Sequence, residues 1–175
     1  MAAIAARFQF AAVSREGRAW WLVRSAPVSP TQWLWAKSVL GFGPMLVVGE
    51  VVVVGSDLLL GATPWLTVLE AVSTVFLAFA LSTMALAMGA VWPDFKADTA
   101  QRAAASPAAV FYMVVSMAFI CLILALEVVG VYLAWRWNQS YWVAAGPLAI
   151  AAILCLLVGI LPIRRSAEIL WSRGL

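Results

Sequence analysis

The sequence predicts an all-α fold: a polytopic integral membrane helical bundle with four transmembrane helices, preceded by a short helix. Three observations predict this fold. Hydrophobic residues make up 65% of the 175 residues and charged residues only 11%, and the mean hydropathy is +1.00. Soluble domains are roughly half apolar and about a quarter charged. The apolar residues also form four long runs, and prolines mark the ends of these runs.

The four apolar runs define a predicted transmembrane domain, residues 33–162. Each run reaches the roughly 20 residues that a helix needs to cross about 30 Å of hydrocarbon. The predicted spans are residues 33–60, 66–91, 108–134 and 141–161. Residues 163–175 are the predicted tail.

Serine or threonine followed by proline introduces three of these helices. The pairs are Ser29-Pro30, Thr63-Pro64 and Ser106-Pro107. The hydroxyl can cap the first turn, and a proline at the first helical position lacks only an N–H that the helix leaves unused. Gln32, three residues after Ser29, predicts a capping box. Pro93 and Pro162 predict the ends of the second and fourth helices.

Lysine and arginine are distributed asymmetrically about the spans. Every one except Arg136 lies before or at the start of the first span, in the loop of residues 92–107, or in the tail. Basic residues stay on the cytoplasmic side. We therefore expect the cell inner (cytoplasmic) membrane, with the N-terminal segment, the 92–107 loop and the C-terminus cytoplasmic. This topology explains the net charge of +3, so nucleic acid is not an expected partner.

The sequence offers few groups for catalysis. It has no histidine, and Cys121 and Cys155 lie in separate apolar runs with no metal-binding spacing. The pattern Gly-x-x-x-x-Gly-Lys-Ser/Thr of a phosphate loop does not occur, nor does Gly-x-Ser-x-Gly. We therefore predict that the chain is not an enzyme and has no catalytic, metal or cofactor-binding residues.

Two segments precede the first span. Residues 1–13 are apolar but too short to span a bilayer, and they are predicted to be the end of a preceding helix or an interfacial helix. Residues 14–32 have the pattern helix, break, helix, in which Ser14 caps the first helix and Pro27 ends it. From these residues alone, an amphipathic helix at the lipid headgroups explains the segment slightly better than a docking element does.

Two stretches carry a resemblance to a known family. They are EGRAWWLVRSAPVS with LWAK, at residues 16–29 and 34–37, and WPDFKAD with AQ, at residues 92–98 and 100–101. The first resembles the cytoplasmic coupling segment of ABC-2 type exporter permeases, and the second resembles a loop of the same group. The resemblance extends over residues 8–161.

The resemblance implies a permease subunit of an ATP-driven exporter, coupled through residues 14–32 to a separate cytosolic ABC ATPase subunit that binds ATP. The implied ATPase contacts are Glu16, Gly17, Arg18, Arg24, Pro27, Val28 and Ser29. Because such permeases have further helices before the coupling segment, the chain is expected to be their C-terminal part. The lipid bilayer and a second permease copy, or the missing N-terminal half, are the other expected partners.

Acidic residues inside the spans suggest a polar path. Glu50 and Asp57 lie seven residues apart, on one helical face, and Glu127 lies in the third span. An acid in the bilayer costs about 3 kcal/mol, so it usually faces protein or water. We predict a translocation path through these three residues. Alternatively, Asp57 and Glu70 are hydrated at the interface, and Glu50 is protonated and bonded to a neighbouring helix.

Two other functions remain open from the residues. One is an ion- or proton-coupled secondary carrier that uses these intramembrane acids. The other is a non-transporting membrane scaffold subunit.

Overall fold

The computed structural model describes residues 1–16, 20–93, 105–136 and 141–172, with the backbone alone at residues 20, 24 and 141–144. These residues form helices and turns, and no strand occurs among them. The helices are α1 (Ala2–Ser14), α2 (Trp20–Ser25), α3 (Pro30–Leu60), α4 (Pro64–Val91), α5 (Pro107–Arg136) and α6 (Tyr141–Ser172). Within α3 to α6 lie four stretches long and apolar enough to cross a membrane. The predicted all-α bundle is confirmed.

Two of the three predicted capping residues form hydrogen bonds at the helix starts. The Ser29 hydroxyl accepts a hydrogen bond from the Gln32 amide, and the Gln32 side chain accepts one from the Ser29 amide, each at 3.3 Å, so the predicted capping box is confirmed. The Ser106 hydroxyl also accepts a bond from the Ala109 amide at 3.3 Å. Thr63 makes no such bond. At its other end, α3 stops at Gly61, whose φ of 69° is left-handed.

Pro162 does not end the fourth helix, contrary to the prediction. α6 continues through Pro162 to Ser172. A proline removes one helical hydrogen bond, but tertiary packing supplies most of the stability of a helix in a protein. Ile163, Ala167 and Leu170 are fully buried against α3 and α4, and this packing keeps the helix intact beyond the proline.

α4 is the central helix of the bundle. In its most apolar stretch 67% of the residues are buried, against 17% in α3 and 22% in α5. Alanines and Gly89 line much of its buried surface, and small residues allow neighbouring helices to approach closely. α3, α6 and α1 all pack on α4, and α5 packs mainly on α6. The outer faces of α3 and α5 remain apolar and exposed, as they would be towards lipid.

α1 packs against the bundle with one face buried. Its residues Ala5, Phe10 and Ala11 are buried, and residues 6–10 form a π-helical turn. The side-chain amide of Gln9, itself buried, donates to the Ser82 hydroxyl at 2.7 Å and to the Ser38 carbonyl at 3.3 Å. The Met1 side chain lies against Gly49, while Ala12 lies against Lys37. α1 therefore runs antiparallel to α3 and reaches its middle.

Candidate functional site

A cavity of about 680 Å³ lies between α3, α4 and α5, towards the end of the bundle where Gly61 follows α3. Most of its lining is apolar. Its polar side chains include Glu70, Ser73 and Thr74 of α4 and Glu127 and Tyr132 of α5, and Met1, which precedes α1, also lines it. We call this space the acidic cavity.

Helical spacing places these polar residues together. Glu70, Ser73, Thr74 and Leu77 follow the pattern i, i+3, i+4, i+7, so they share one face of α4. On α5, Glu127 shares a face with residues three before it and four and eight after it: Leu124, Val131 and Trp135. These faces of α4 and α5 meet at the cavity. α3 and α5 do not pack closely against each other, which leaves the space between them open. Tyr132 and Trp135 are exposed, so the cavity opens to the outside of the bundle.

Each of the two cavity acids has a polar neighbour. Glu127 lies near Ser73, and Glu70 lies near Asp57 on α3. Asp57 is only 7% exposed. One oxygen of Asp57 and one of Glu50 are buried with no hydrogen-bond partner among the described residues. Buried acceptors left unpaired are costly, so these two oxygens favour a hydrogen-bond donor or a positive charge nearby.

A second cavity, of about 390 Å³, adjoins the first between α4, α5 and α6. The two cavities share Leu69, Ser73 and Glu127. Glu127 therefore borders both spaces. Ligand pockets in proteins usually measure roughly 300–1,000 Å³, so either space is large enough for a small molecule.

The predicted path residues are only partly brought together. Glu127 lines the acidic cavity, and Asp57 meets Glu70 beside it. Glu50 is not among the residues that line this cavity. The translocation path stays a prediction. The predicted path did not include Glu70. Its spacing from Ser73 and Thr74, which places all three on one face of an otherwise apolar helix, was a signal that it belongs to a polar site.

The predicted ATPase contacts come just before, within and just after α2 in the sequence. Glu16 forms an ion pair with Lys37, whose ammonium also donates to the Ala12 carbonyl at 3.0 Å. Pro27, Val28 and Ser29 are exposed between α2 and α3. Gly17 and Arg18 lie outside the described residues, as does the side chain of Arg24. The role of these residues stays a prediction.

Comparison with known proteins gives one family. The sequence matches the model of the family described as “Putative ATP-binding cassette” over residues 1–171. No curated protein and no solved structure matches the chain.

The match corrects the identification with ABC-2 type permeases, because the matched family is an ATPase-type family. It also contradicts the predicted function as a permease subunit, and neither the secondary carrier nor the scaffold agrees with it. The predictions that the chain is not an enzyme and that ATP sits only on a partner are contradicted as well. The physical reason is that apolar spans and a short proline break recur in many membrane proteins, so they do not separate one family from another.

ATP is the ligand that this family description implies. A phosphate loop needs a lysine directly after a glycine to hold the phosphates. The sequence has two lysines, and neither follows a glycine. Lys37 is ion-paired with Glu16, Lys96 lies outside the described residues, and the described part of the chain has no strand from which such a loop could start. These residues do not fit a phosphate-loop nucleotide site.

The family match supports a relation to ABC transporters. The four long apolar helices are compatible with a membrane. The match spans almost the whole chain, from residue 1 to residue 171 of 175. The chain therefore belongs to this ATP-binding cassette family.

Proposed function

We propose that this chain is a multi-pass membrane protein of an ATP-binding cassette system and that it binds a lipophilic cation in the acidic cavity. The observation that carries the proposal is the pairing of apolar walls with two acids, Glu70 and Glu127, in one space of about 680 Å³. A lipophilic cation matches both properties.

Neither cavity acid forms an ion pair within the part of the chain that the structure describes. Among the described residues, the single ion pair joins Glu16 to Lys37, at the other end of the bundle. Glu70 and Glu127 therefore form no ion pair in the part of the chain that is described. A bound organic cation would supply a balancing charge, and its apolar part would displace water from the walls.

Aromatic groups at the cavity mouth favour the same ligand. Tyr132 and Trp135 line the cavity and are 56% and 72% exposed. A cation over an aromatic face gains about 0.5–2 kcal/mol, depending on how fully it is desolvated. These rings are placed to attract a cation at the entrance before it meets Glu127.

The basic residues support an orientation for this site. Apart from Arg136, they lie in segments of the sequence that precede α3 or its first turns, link α4 to α5 or follow the apolar part of α6, and we place that end of the bundle in the cytoplasm of the cell inner membrane. The acidic cavity then lies in the outer half of the bilayer, open towards lipid. A lipophilic cation dissolved in the membrane would reach it from the side.

A binding titration tests the proposal. Purified protein in detergent is titrated with a fluorescent lipophilic cation, and Glu127→Gln is compared with Glu168→Gln, a change at an exposed acid outside the cavity. We expect Glu127→Gln to weaken binding at least about tenfold, or ~1.4 kcal/mol, since it removes the charge that borders both cavities. Glu168→Gln should bind like the native chain.

A neutral analogue of the same size is the ligand control. It should bind the native chain and Glu127→Gln with similar, weaker affinity. Equal binding of the cation to both glutamine variants would refute the proposal.

A further inference from the structure

A third cavity, of about 420 Å³, lies between α4 and α6 at the end of the bundle where α3 begins. Its walls are largely apolar, and its charged group is Arg165. We call it the basic cleft. We infer that it binds an anionic phospholipid, with the phosphate on Arg165 and an acyl chain along the apolar walls. This inference is independent of the acidic cavity.

Two helical faces form the cleft. Leu161, Arg165 and Ile169 are four residues apart and share one face of α6. Met88, Val91 and Trp92 supply the opposite wall from the end of α4. The guanidinium of Arg165 is therefore flanked along its helix by two apolar side chains. This arrangement suits a molecule that joins an anionic head to a hydrocarbon tail.

The depth of Arg165 fits a lipid headgroup. Trp92 lines the cleft and is 47% exposed. At the same end of the bundle, the rings of Trp33 and Trp171 meet edge to face with centroids 5.9 Å apart. Tryptophans concentrate where a membrane meets water. Arg165 thus lies near the level of the lipid phosphates.

Charge favours an anionic head over a zwitterionic one. Arg165 is exposed and forms no ion pair with any described residue. The nearest acid on its helix, Glu168, does not line the cleft. A guanidinium binds phosphate through two parallel hydrogen bonds, and basic pockets between membrane helices bind anionic headgroups. A free phosphate would use the same guanidinium and leave the apolar walls empty, so the walls favour a lipid.

Lipid retention tests the inference. Delipidated protein in detergent receives equal amounts of phosphatidylglycerol and phosphatidylcholine, and bound lipid is counted by native mass spectrometry. We expect the native chain to retain phosphatidylglycerol about fivefold more than phosphatidylcholine, the effect of one basic residue near an anionic headgroup. Arg165→Gln should lose this preference. Arg164→Gln, a neighbouring exposed arginine outside the cleft, should keep it.

Two further measurements test whether a positive charge alone is enough and whether free phosphate can replace the lipid. Arg165→Lys should keep part of the preference, since the positive charge remains. Inorganic phosphate in excess should not displace the retained lipid. The inference is overturned if Arg165→Gln keeps the preference, if Arg164→Gln loses it equally, or if inorganic phosphate removes the lipid. Melting without added lipid should be the same for all variants, because both arginines are exposed.

Discussion

Lys37 is the residue that ties the N-terminal segment to the first long helix. Its ammonium pairs with Glu16, donates to the Ala12 carbonyl at 3.0 Å, and lies 4.7 Å from the ring centroid of Trp33. Both partners of the ion pair are mostly buried, at 19% and 26% side-chain exposure. Partial burial reduces solvent screening, so this pair should contribute more than an exposed one.

Lys37→Ala should lower the free energy of unfolding by about 1–3 kcal/mol, because it removes a charged hydrogen bond and leaves Glu16 unpaired. Glu16→Gln should cost less, since its amide still accepts a bond. Unfolding in mixed detergent micelles measures both changes. The double variant should cost less than the sum of the two single losses. Strict additivity would show that the two side chains do not interact, and Arg164→Ala, with no described ion pair, is the neutral control.

The packing of α1 depends on glycines in the neighbouring helices α3 and α4. A Cβ added at Gly89 would meet the Phe10 carbonyl oxygen, and one added at Gly41 would meet the Gln9 side chain. Phe10 itself is buried against Tyr112, with ring centroids 6.2 Å apart. α1 is held by close approach to α4 and by the buried Gln9 hydrogen bonds. Its position should therefore be sensitive to a single methyl group.

Gly89→Ala should destabilise the protein by about 1–3 kcal/mol, because the new methyl group meets backbone that cannot move aside as a flexible side chain would. Gly55→Ala is the matched control on α3, where an added Cβ meets nothing within 4 Å. It should leave stability unchanged or raise it by up to ~1 kcal/mol, as alanine favours a helix over glycine. Unfolding in detergent measures both, and equal effects at the two glycines would contradict the described packing of α1.

For the whole molecule, local sequence patterns predicted the individual helices better than they predicted how those helices pack together. Hydropathy and length gave the four long helices, and the spacing of Ser29 and Gln32 gave the capping box. Neither pattern contains information about which helices pack together. The meeting of Asp57 with Glu70 and the burial of α1 depend on that packing. Continuation of α6 past Pro162 likewise depends on contacts with α3 and α4.

The family assignment shows the same limit at the level of function. The resemblance to permeases came from short stretches around residues 14–32 and 92–101, of which 17–19 and 94–101 lie outside the described residues. The family model uses nearly the whole chain and points to an ATP-binding cassette family instead. The intramembrane acids suggested a polar cavity, but the position and lining of the cavities could not be predicted, since three helices must come together to form each of the two that share Glu127.

Photoaffinity labelling tests the central claim most directly. Protein in lipid nanodiscs is irradiated with a lipophilic cation that carries a diazirine, with and without an excess of the unmodified cation, and the labelled residues are mapped by mass spectrometry. The acidic cavity predicts competed labels on its lining, such as Leu69, Leu124 and Val128. Labels confined to the outer face of α3, at Leu58, Leu59 and Leu60, and unaffected by the competitor would mean that the cation only dissolves in the surrounding lipid, which would contradict the account.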